Sequence, residues 1–204
     1  NSPRYTTYKK PARLSTLAAQ VLAALPAEQA ITKIILDDTY FDKPFWNDAW
    51  RTSDRTNGYI SHITALQVDS DRANPDLTSR AYSGVRSRDP VMAAGTHFKK
   101  ALGARAASAT LEVAVTPDHA ILAASVQSQP MSVWLDHALK YSDNTETEMI
   151  ARHALRINRM ETTFKNIQPL MVRVMNAYGV DASKLVMADG SGLAQSNRVT
   201  ARMT

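Results

Sequence analysis

The 204-residue sequence contains no cysteine, and this absence excludes disulfide bridges, a thiol nucleophile and zinc sites with cysteine ligands. Aromatic residues account for only 7% of the chain, and no basic stripe carries aromatic side chains along it, so we expect no nucleic-acid partner. No apolar run reaches the length of a membrane-spanning helix, and no signal peptide opens the chain. We therefore expect no transmembrane segment in this sequence.

The residues that are present are typical of a folded protein. Hydrophobic residues make up 44% of the chain and charged residues 21%, which is enough apolar content for one large or two small domains. The formal net charge is +5, with a basic cluster at the start of the chain (Arg4, Lys9, Lys10 and Arg13) and both signs interspersed elsewhere. This mild excess suits an anionic polymer but does not identify one.

The first 127 residues alternate between helical and strand-like patterns. Apolar residues at helical spacing predict helices over Leu14–Leu25 and Pro90–Leu102, the second with Gly103 as its terminator. Runs of β-branched or alternating residues predict strands over Ile31–Leu36, Ile63–Val68, Leu111–Val115 and Ile121–Ser125, the last two paired with each other. We expect an aromatic cluster to cover this sheet; it consists of Phe41, Phe45, Trp46 and Trp50.

After Pro130 the pattern becomes helical. One helix is predicted over Met131–Tyr141, a second begins where Thr145 and Glu148 fit a capping box, and Pro169 opens a third. We expect the second helix to bury the face formed by Met149, Ile150, His153, Ala154 and Ile157. The sequence thus predicts an α+β protein with a mixed α/β domain over residues 1–127 and a helical portion over residues 128–204.

Two short polar motifs lie in the helical part. Ser142-Asp143-Asn144 connects two predicted helices, and such a connection can hold side chains rigidly outward because both flanks are packed. In Asp189-Gly190-Ser191-Gly192-Leu193, the two glycines around the serine suit a tight turn. Spacing alone favours a polar turn for both motifs, since Ser, Asp and Asn are common turn residues and no histidine lies near Ser191 in the sequence.

Together, YSDNTETEM (141–149) and DGSGLAQSNRVTA (189–201) resemble motifs of the low-molecular-mass class C penicillin-binding proteins, the D-alanyl-D-alanine carboxypeptidase/endopeptidases of serine peptidase family S13. The resemblance covers essentially the whole chain, with residues 1–127 similar to the domain inserted in these enzymes and Ala194 replacing a usual serine. It implies that Ser142 passes a proton towards the leaving D-alanine and that Asn144 hydrogen-bonds the acyl-side amide of the substrate. It also implies that Asp143 braces the loop.

Two motifs that such enzymes need are missing from the sequence. No serine is followed three residues later by lysine, so the Ser-x-x-Lys nucleophile motif is absent, and there is no Lys-Thr-Gly. We therefore expect an internal fragment, inactive alone, of an exported bacterial enzyme that acts on peptidoglycan stem peptides in the periplasm or at the cell wall and binds β-lactams. The alternatives are a non-catalytic cell-wall-binding module on the same scaffold and a β-lactamase-related hydrolase.

No pattern in the sequence predicts a metal or cofactor. The five histidines are scattered without metal-ligand spacing. Residues 69–74 faintly resemble a calcium loop but lack its sixth-position glycine and its glutamate, so we predict a polar turn there. The family resemblance implies no metal and no organic cofactor.

Overall fold

A computed structural model describes residues 11–73 and 84–203. The described helices are α1 (Leu14–Ala24), α2 (Thr52–Thr56), α3 (Pro90–Leu102), α4 (Met131–Tyr141), α5 (Asn144–Ile157) and α6 (Ile167–Ala177). The described strands are β1 (Lys33–Leu36) and β2 (Thr110–Val113). This mixture of helices with a small sheet is consistent with the predicted α+β class.

A first hydrophobic core forms around the sheet. β1 and β2 pair in parallel, with Ile34 opposite Leu111 and Leu36 opposite Val113. Helix α3 contacts α1 and both strands, and Gly95 lets it approach β1 closely, because a Cβ at this position would lie 2.4 Å from Leu36 Cδ1. The buried members of this core are all apolar: Ala18, Ile34, Leu36, Val91, Leu102, Ala106 and Ala109.

The predicted helices of the first part are confirmed. Helix α1 begins at the predicted residue and ends at Ala24, and α3 has the predicted bounds. The Asp89 side chain caps α3 by accepting a hydrogen bond from the Met92 N–H at 3.0 Å, and Gly103 follows the helix with a φ of 66°. Apolar spacing therefore indicates both helices, and a side-chain cap marks the start of α3 but not that of α1.

Two of the predicted strands are wrong. Residues 63–68 form no strand, because Ile63 is fully buried in a cluster with Leu155 of α5 and its carbonyl accepts a hydrogen bond from Arg152 at 2.8 Å. Residues 121–125 are also irregular, and Ile121 is 92% exposed. The predicted partner of this run, β2, pairs with β1 instead.

A second core forms around α5 and α6. Its buried members are Phe41, Trp50, Ile60, Ile63, Leu155, Phe164, Ile167, Leu170 and Ala194. The prediction that the aromatic cluster covers the sheet is therefore wrong: Phe41 and Trp50 lie within this second core, and Phe45 and Trp46 pack against it. The rings of Trp50 and Phe164 meet edge to face, with 5.1 Å between their centroids, and this contact stabilises the second core.

The predicted inward face of α5 is confirmed only in part, since Met149 and Ala154 pack against the second core. The buried residues of this helix are Thr145, Glu148, Arg152 and Leu155, whereas Ile157 is 68% exposed. Three of these four side chains are polar, so the helix turns a polar stripe inward. Such an orientation requires hydrogen-bond partners from other segments, because an unpaired polar group is costly to bury.

The predicted domain boundary at residue 127 stays a prediction. Residues between Phe41 and Ile63 contribute to the second core together with α5 and α6. Across residues 11–73 and 84–203, no helix combines the length and apolar character needed to cross a bilayer.

Candidate active site

Ser142 lies where α4 ends. Its backbone is left-handed, with φ 52° and ψ 46°, and its N–H donates to the Ala138 carbonyl, so it closes the helix in a conformation that usually favours glycine. Its side chain is exposed. A non-glycine residue in this region stores strain on the order of 1 to 3 kcal/mol, and the packed helices on either side must hold it there.

Asp143 braces the turn by capping α5. Its carboxylate accepts a hydrogen bond from the Glu146 N–H at 3.0 Å, and its carbonyl accepts one from the Thr147 hydroxyl at 2.8 Å. The predicted capping box with Thr145 as N-cap is therefore wrong, since the N-cap is Asp143, two residues earlier. The Thr145 hydroxyl is buried and accepts from the Ser61 N–H at 3.1 Å instead.

Asn144 is the first residue of α5, and its carboxamide is fixed from outside the helix. Its Nδ2 donates to the Tyr59 carbonyl at 3.0 Å. Because Ser61 also binds Thr145, the backbone of residues 58–61 lies along the first turn of α5. The structure thus places Ser142 and Asn144 at the two sides of one tight turn, where their catalytic roles stay predictions.

A contact between α4 and α5 closes the base of this turn. His137 Nδ1 of α4 hydrogen-bonds the Glu146 carboxylate of α5, and both side chains are largely buried. The imidazole also packs on the Tyr141 ring, with 4.7 Å between ring centroids. The two helices are therefore joined on either side of the Ser142–Asn144 turn.

Glu148 connects α5 to the second polar motif. Its Oε1 accepts hydrogen bonds from the N–H groups of Gly190 at 2.9 Å and Ser191 at 2.7 Å. The side chain is fully buried, and this burial raises the pKa of Glu148 to about 7, with the Asp189 carboxylate acting in the same direction. Glu148 therefore holds the glycine-rich turn.

Asp189 organises that turn from within. Its carboxylate is fully buried and accepts hydrogen bonds from the Gly192 and Ala194 N–H groups, the Trp50 indole and the Asn197 carboxamide, at 2.6 to 3.0 Å. A turn predicted for residues 189–193 is thereby confirmed. Ser191 contributes to this turn, since its hydroxyl donates a long hydrogen bond of 3.5 Å to Asp189 Oδ2.

Arg152 is the buried cation of the second core. Its guanidinium donates to the carbonyls of Ile63, Asp42 and Pro44, each at 2.8 Å, and lies 4.3 Å from the centroid of the Phe164 ring. Burial lowers the pKa of Arg152 to about 10, although Glu148 and Asp42 oppose this shift. The arginine thus bonds the two ends of the segment 42–63, at residues 42–44 and at Ile63, to α5.

An apolar pocket of about 220 Å³ opens between α4, α5 and the segment at Tyr40, and neither Ser142 nor Asn144 lines it. Its walls include Phe41, Trp134 and Met149, and its polar edge is formed by the Tyr40 hydroxyl, 2.7 Å from His153 Nδ1. Lys140, next to the turn, is exposed and pairs with Asp136 at 3.1 Å.

The possible cation loop at residues 69–74 is a turn as far as the structure describes it. Asp69, Ser70 and Asp71 all have positive φ values, and the Asp71 carboxylate is buried and accepts from the Ser87 hydroxyl. Asn74 lies outside the described residues. Within residues 11–73 and 84–203, no group of three or more His, Asp or Glu side chains is arranged to hold a metal ion.

Sequence reasoning missed the buried polar residues behind the motifs. The position of Glu148 could have indicated its role, since it lies one helical turn after Asn144 and so on the same face of α5. The position of Asp189 could have indicated a turn, since it directly precedes a glycine. Neither Arg86 nor the Tyr59 carbonyl had such an indication. Arg86 donates to a carbonyl, and the Tyr59 carbonyl accepts from a side chain, in distant segments that no spacing in the sequence indicates.

Comparison with known proteins identifies the family of the chain. Carboxypeptidase Rv3627c of Mycobacterium tuberculosis is 32% identical over 198 residues, and Carboxypeptidase DacB of Mycolicibacterium smegmatis is 29% identical over 196 residues. These alignments cover 97% and 96% of this chain but only 41% of the length of each relative. Residues 79–204, which include both polar motifs, match the sequence profile of D-Ala-D-Ala carboxypeptidase 3 (S13). The chain therefore belongs to the D-Ala-D-Ala carboxypeptidase 3 (S13) family.

Proposed function

We propose that the full-length protein is a serine D-Ala-D-Ala carboxypeptidase/endopeptidase that cleaves peptidoglycan stem peptides. Family membership supports a peptidase that acts on peptides ending in D-Ala-D-Ala, and two similar proteins are named carboxypeptidases. Because peptidoglycan lies outside the cytoplasm, we propose that the protein is exported and works in the periplasm or at the cell wall.

The proposed reaction is acyl transfer through a serine. A serine hydroxyl attacks the carbonyl of the penultimate D-alanine, the terminal D-alanine leaves with a proton, and water then hydrolyses the acyl-enzyme. A β-lactam would acylate the same serine as a substrate mimic. The 204 residues hold neither a Ser-x-x-Lys nor a Lys-Thr-Gly motif, so we propose that this chain alone is not acylated.

The observation that carries the proposal is the geometry of the Ser142–Asn144 turn. An exposed hydroxyl and a carboxamide flank one capped turn between two helices, with the serine backbone held in the left-handed region. Preorganisation of this kind suits groups that must orient a substrate, because positions on packed helix ends are fixed before binding. We propose that Ser142 delivers the proton to the leaving D-alanine and that Asn144 binds the acyl-side amide.

We also propose the domain roles that the family resemblance implies. Residues 1–127 would form the inserted α/β domain, and residues 128–204 the helical part of the penicillin-binding domain. The backbone of residues 58–61, which lies along α5, would then bring the inserted domain into contact with the catalytic turn.

The test is acylation of the full-length protein by a fluorescent penicillin, together with release of D-alanine from a peptide ending in D-Ala-D-Ala. We expect Asn144→Ala to slow acylation on the order of 100-fold, because the substrate carbonyl is no longer oriented. We expect Ser142→Gly to slow it on the order of 100-fold through loss of the proton-transfer hydroxyl. Glycine suits the φ of 52° at this position, so the variant removes the hydroxyl without a backbone cost.

Ser183→Ala is the control, since Ser183 is an exposed turn serine outside the motif. It should acylate like the unmodified protein. Failure of the unmodified full-length protein to react with either substrate would overturn the enzyme assignment and leave the wall-binding module. Unchanged acylation in both Ser142→Gly and Asn144→Ala would reduce the motif to a structural turn.

A further inference from the structure

Arg86 is a buried arginine that the proposed catalytic chemistry does not use. Its side chain is 1% exposed, and its guanidinium donates to the Gly58 carbonyl through Nε at 3.2 Å and Nη2 at 2.8 Å. A third hydrogen bond runs from Nη1 to the Ser70 carbonyl. Burying a charge is costly, and these three hydrogen bonds offset part of the hydration that the guanidinium loses.

The segment that Arg86 holds is the one that contacts Asn144. Gly58, whose carbonyl receives two of the arginine's hydrogen bonds, directly precedes Tyr59, whose carbonyl receives the Asn144 Nδ2–H. The Arg86 main chain is tied to the same region, because its N–H donates to the Arg55 carbonyl and its carbonyl accepts from the Arg55 guanidinium. Arg86 is thus bonded to this segment through both its main chain and its side chain.

Electrostatics also connect Arg86 to the turn. Burial lowers the pKa of Arg86 to about 10, and the charge of Asp143, the N-cap of α5, opposes this shift more than the charge of Asp71 does. The buried cation therefore interacts with the capping residue that lies between Ser142 and Asn144. It supports the turn both through the Tyr59 backbone and through the cap.

We propose that Arg86 is a positioning residue, which holds the Gly58–Tyr59 backbone so that the Tyr59 carbonyl orients the Asn144 carboxamide towards the substrate. The functional part of this inference rests on the proposed role of Asn144. One Nδ2 proton is used by Tyr59, which leaves the second proton and Oδ1 for substrate and catalytic groups. The inference predicts that loosening the backbone at Gly58 misorients an amide that the substitution never touches.

The test compares Arg86→Lys with Arg152→Lys in the full-length protein. Both arginines are buried, both donate three hydrogen bonds to carbonyls, and both have a pKa lowered to about 10. Lysine keeps the charge at each position but loses the fork of donors. Arg152 donates to the carbonyls of Asp42, Pro44 and Ile63 and not to that of Gly58, so the two variants lose the same kind of bonds and differ in the positioning role.

The first readout is acylation by a fluorescent penicillin, corrected for the folded fraction. We expect Arg86→Lys to slow acylation on the order of 10-fold to 100-fold, because a small displacement of an orienting group is enough for a loss of this size. We expect Arg152→Lys to stay within about twofold of the unmodified protein, since its contacts leave the orienting groups in place. Equal acylation by the two folded variants would overturn the proposal.

The second readout does not depend on activity. In protein labelled with ¹⁵N-asparagine, Asn144→Asp identifies the side-chain amide signal of Asn144 by its disappearance. We expect Arg86→Lys to move this signal towards those of solvent-exposed carboxamides and Arg152→Lys to leave it in place. A signal unmoved in Arg86→Lys would overturn the positioning role. A moved signal in a protein that penicillin never acylates would keep the positioning role and reject the proposed function.

Discussion

The two hydrophobic cores of this protein differ in the polarity of the side chains that are buried in and around them. The core around β1, β2, α1 and α3 has only apolar members among its buried residues, whereas the region around α5 buries Glu148, Arg152 and Asp189 among its aromatic rings. An apolar core tolerates small rearrangements, because any well-filled packing removes the same surface from water. A buried polar network does not, because each displaced group loses its partner. The candidate catalytic turn belongs to the region of the second kind.

This difference explains why the motifs lie where they do. The Ser142–Asn144 turn needs defined side-chain directions, and α5 obtains them from directed hydrogen bonds to the backbone of Tyr59 and Ser61 and to residues 190–191. The first core needs only to keep α1 and α3 on the sheet. Substitutions should therefore be least tolerated where the buried charges lie, and the following predictions test that contrast from the largest effect to the smallest.

Asp189→Ala should be the most destabilising of these substitutions. It leaves the indole of Trp50, the carboxamide of Asn197 and two backbone N–H groups without their acceptor in a buried site. We expect the free energy of unfolding to fall by about 3 to 5 kcal/mol, measured by urea denaturation. The exposed Asp136→Ala should change it by less than about 1 kcal/mol. A similar small change in both variants would mean that the buried network adds nothing.

Glu148→Gln should alter how stability depends on pH. Because burial raises the pKa of Glu148 from 4.5 to about 7, the folded state holds this proton more tightly than the unfolded state, so stability decreases as pH rises between these values. The raised pKa corresponds to about 3 kcal/mol across the window. Urea denaturation from pH 4.5 to 8 should show this decrease in the unmodified protein and a much flatter curve in the glutamine variant.

A second carboxylate limits how flat that curve can become. Burial raises the pKa of Asp71 to about 6, so this residue contributes a decrease of the same sign over its own window. We therefore expect Glu148→Gln to keep a residual slope that Asp71→Asn removes. Identical pH profiles in the unmodified protein and in Glu148→Gln would contradict the assignment of the larger slope to Glu148.

How much of this arrangement the sequence predicts depends on where each segment finds its partners. Helices α1 and α3 have clear apolar spacing, and α3 also has its own cap, so their bounds were predicted to within a residue. In α5 the buried residues include Glu148 and Arg152, whose partners lie far away in the chain, so apolar spacing indicated only part of the inward face. The run at residues 63–68 failed for a related reason, since its backbone bonds to a side chain of α5 and not to a strand.

The candidate site shows the same limit. Ser142 and Asn144 were found through a family resemblance, and the packing of their turn between helices followed from local patterns. The Tyr59 carbonyl that fixes Asn144 belongs to a main-chain group 85 residues away, and any residue type at position 59 would offer the same acceptor. No sequence pattern encodes such a contact, and only the folded backbone reveals it.

Two glycine substitutions compare the tolerance of the two cores directly. A Cβ at Gly190 would lie 2.8 Å from Ala151 Cβ, which cannot rotate away, so we expect Gly190→Ala to cost about 2 to 3 kcal/mol. A Cβ at Gly95 would meet the flexible end of Leu36 at 2.4 Å, and alanine also favours the helix by about 1 kcal/mol. The net cost of Gly95→Ala should therefore be about 1 kcal/mol or less.

Thermal and urea denaturation of both variants, with Gly84→Ala as the control, decide this comparison. Gly84 has open space where a Cβ would be, so its alanine variant should match the unmodified protein. A larger loss in Gly95→Ala than in Gly190→Ala would show that the apolar core is the less tolerant of the two.

The smallest effect should come from the ion pair on the surface of the sheet. Lys33 of β1 and Glu112 of β2 approach to 2.7 Å, but their side chains are 54% and 50% exposed. Water and salt screen such a pair, so we expect Glu112→Gln to lower the free energy of unfolding by less than about 1 kcal/mol at low ionic strength, and by still less in 0.5 M sodium chloride. A double-mutant cycle with Lys33→Gln isolates the pair from other effects of the two substitutions. A coupling energy as large as the loss in Asp189→Ala would mean that charge stabilises both regions equally, and the contrast between an apolar core and a polar one would fail.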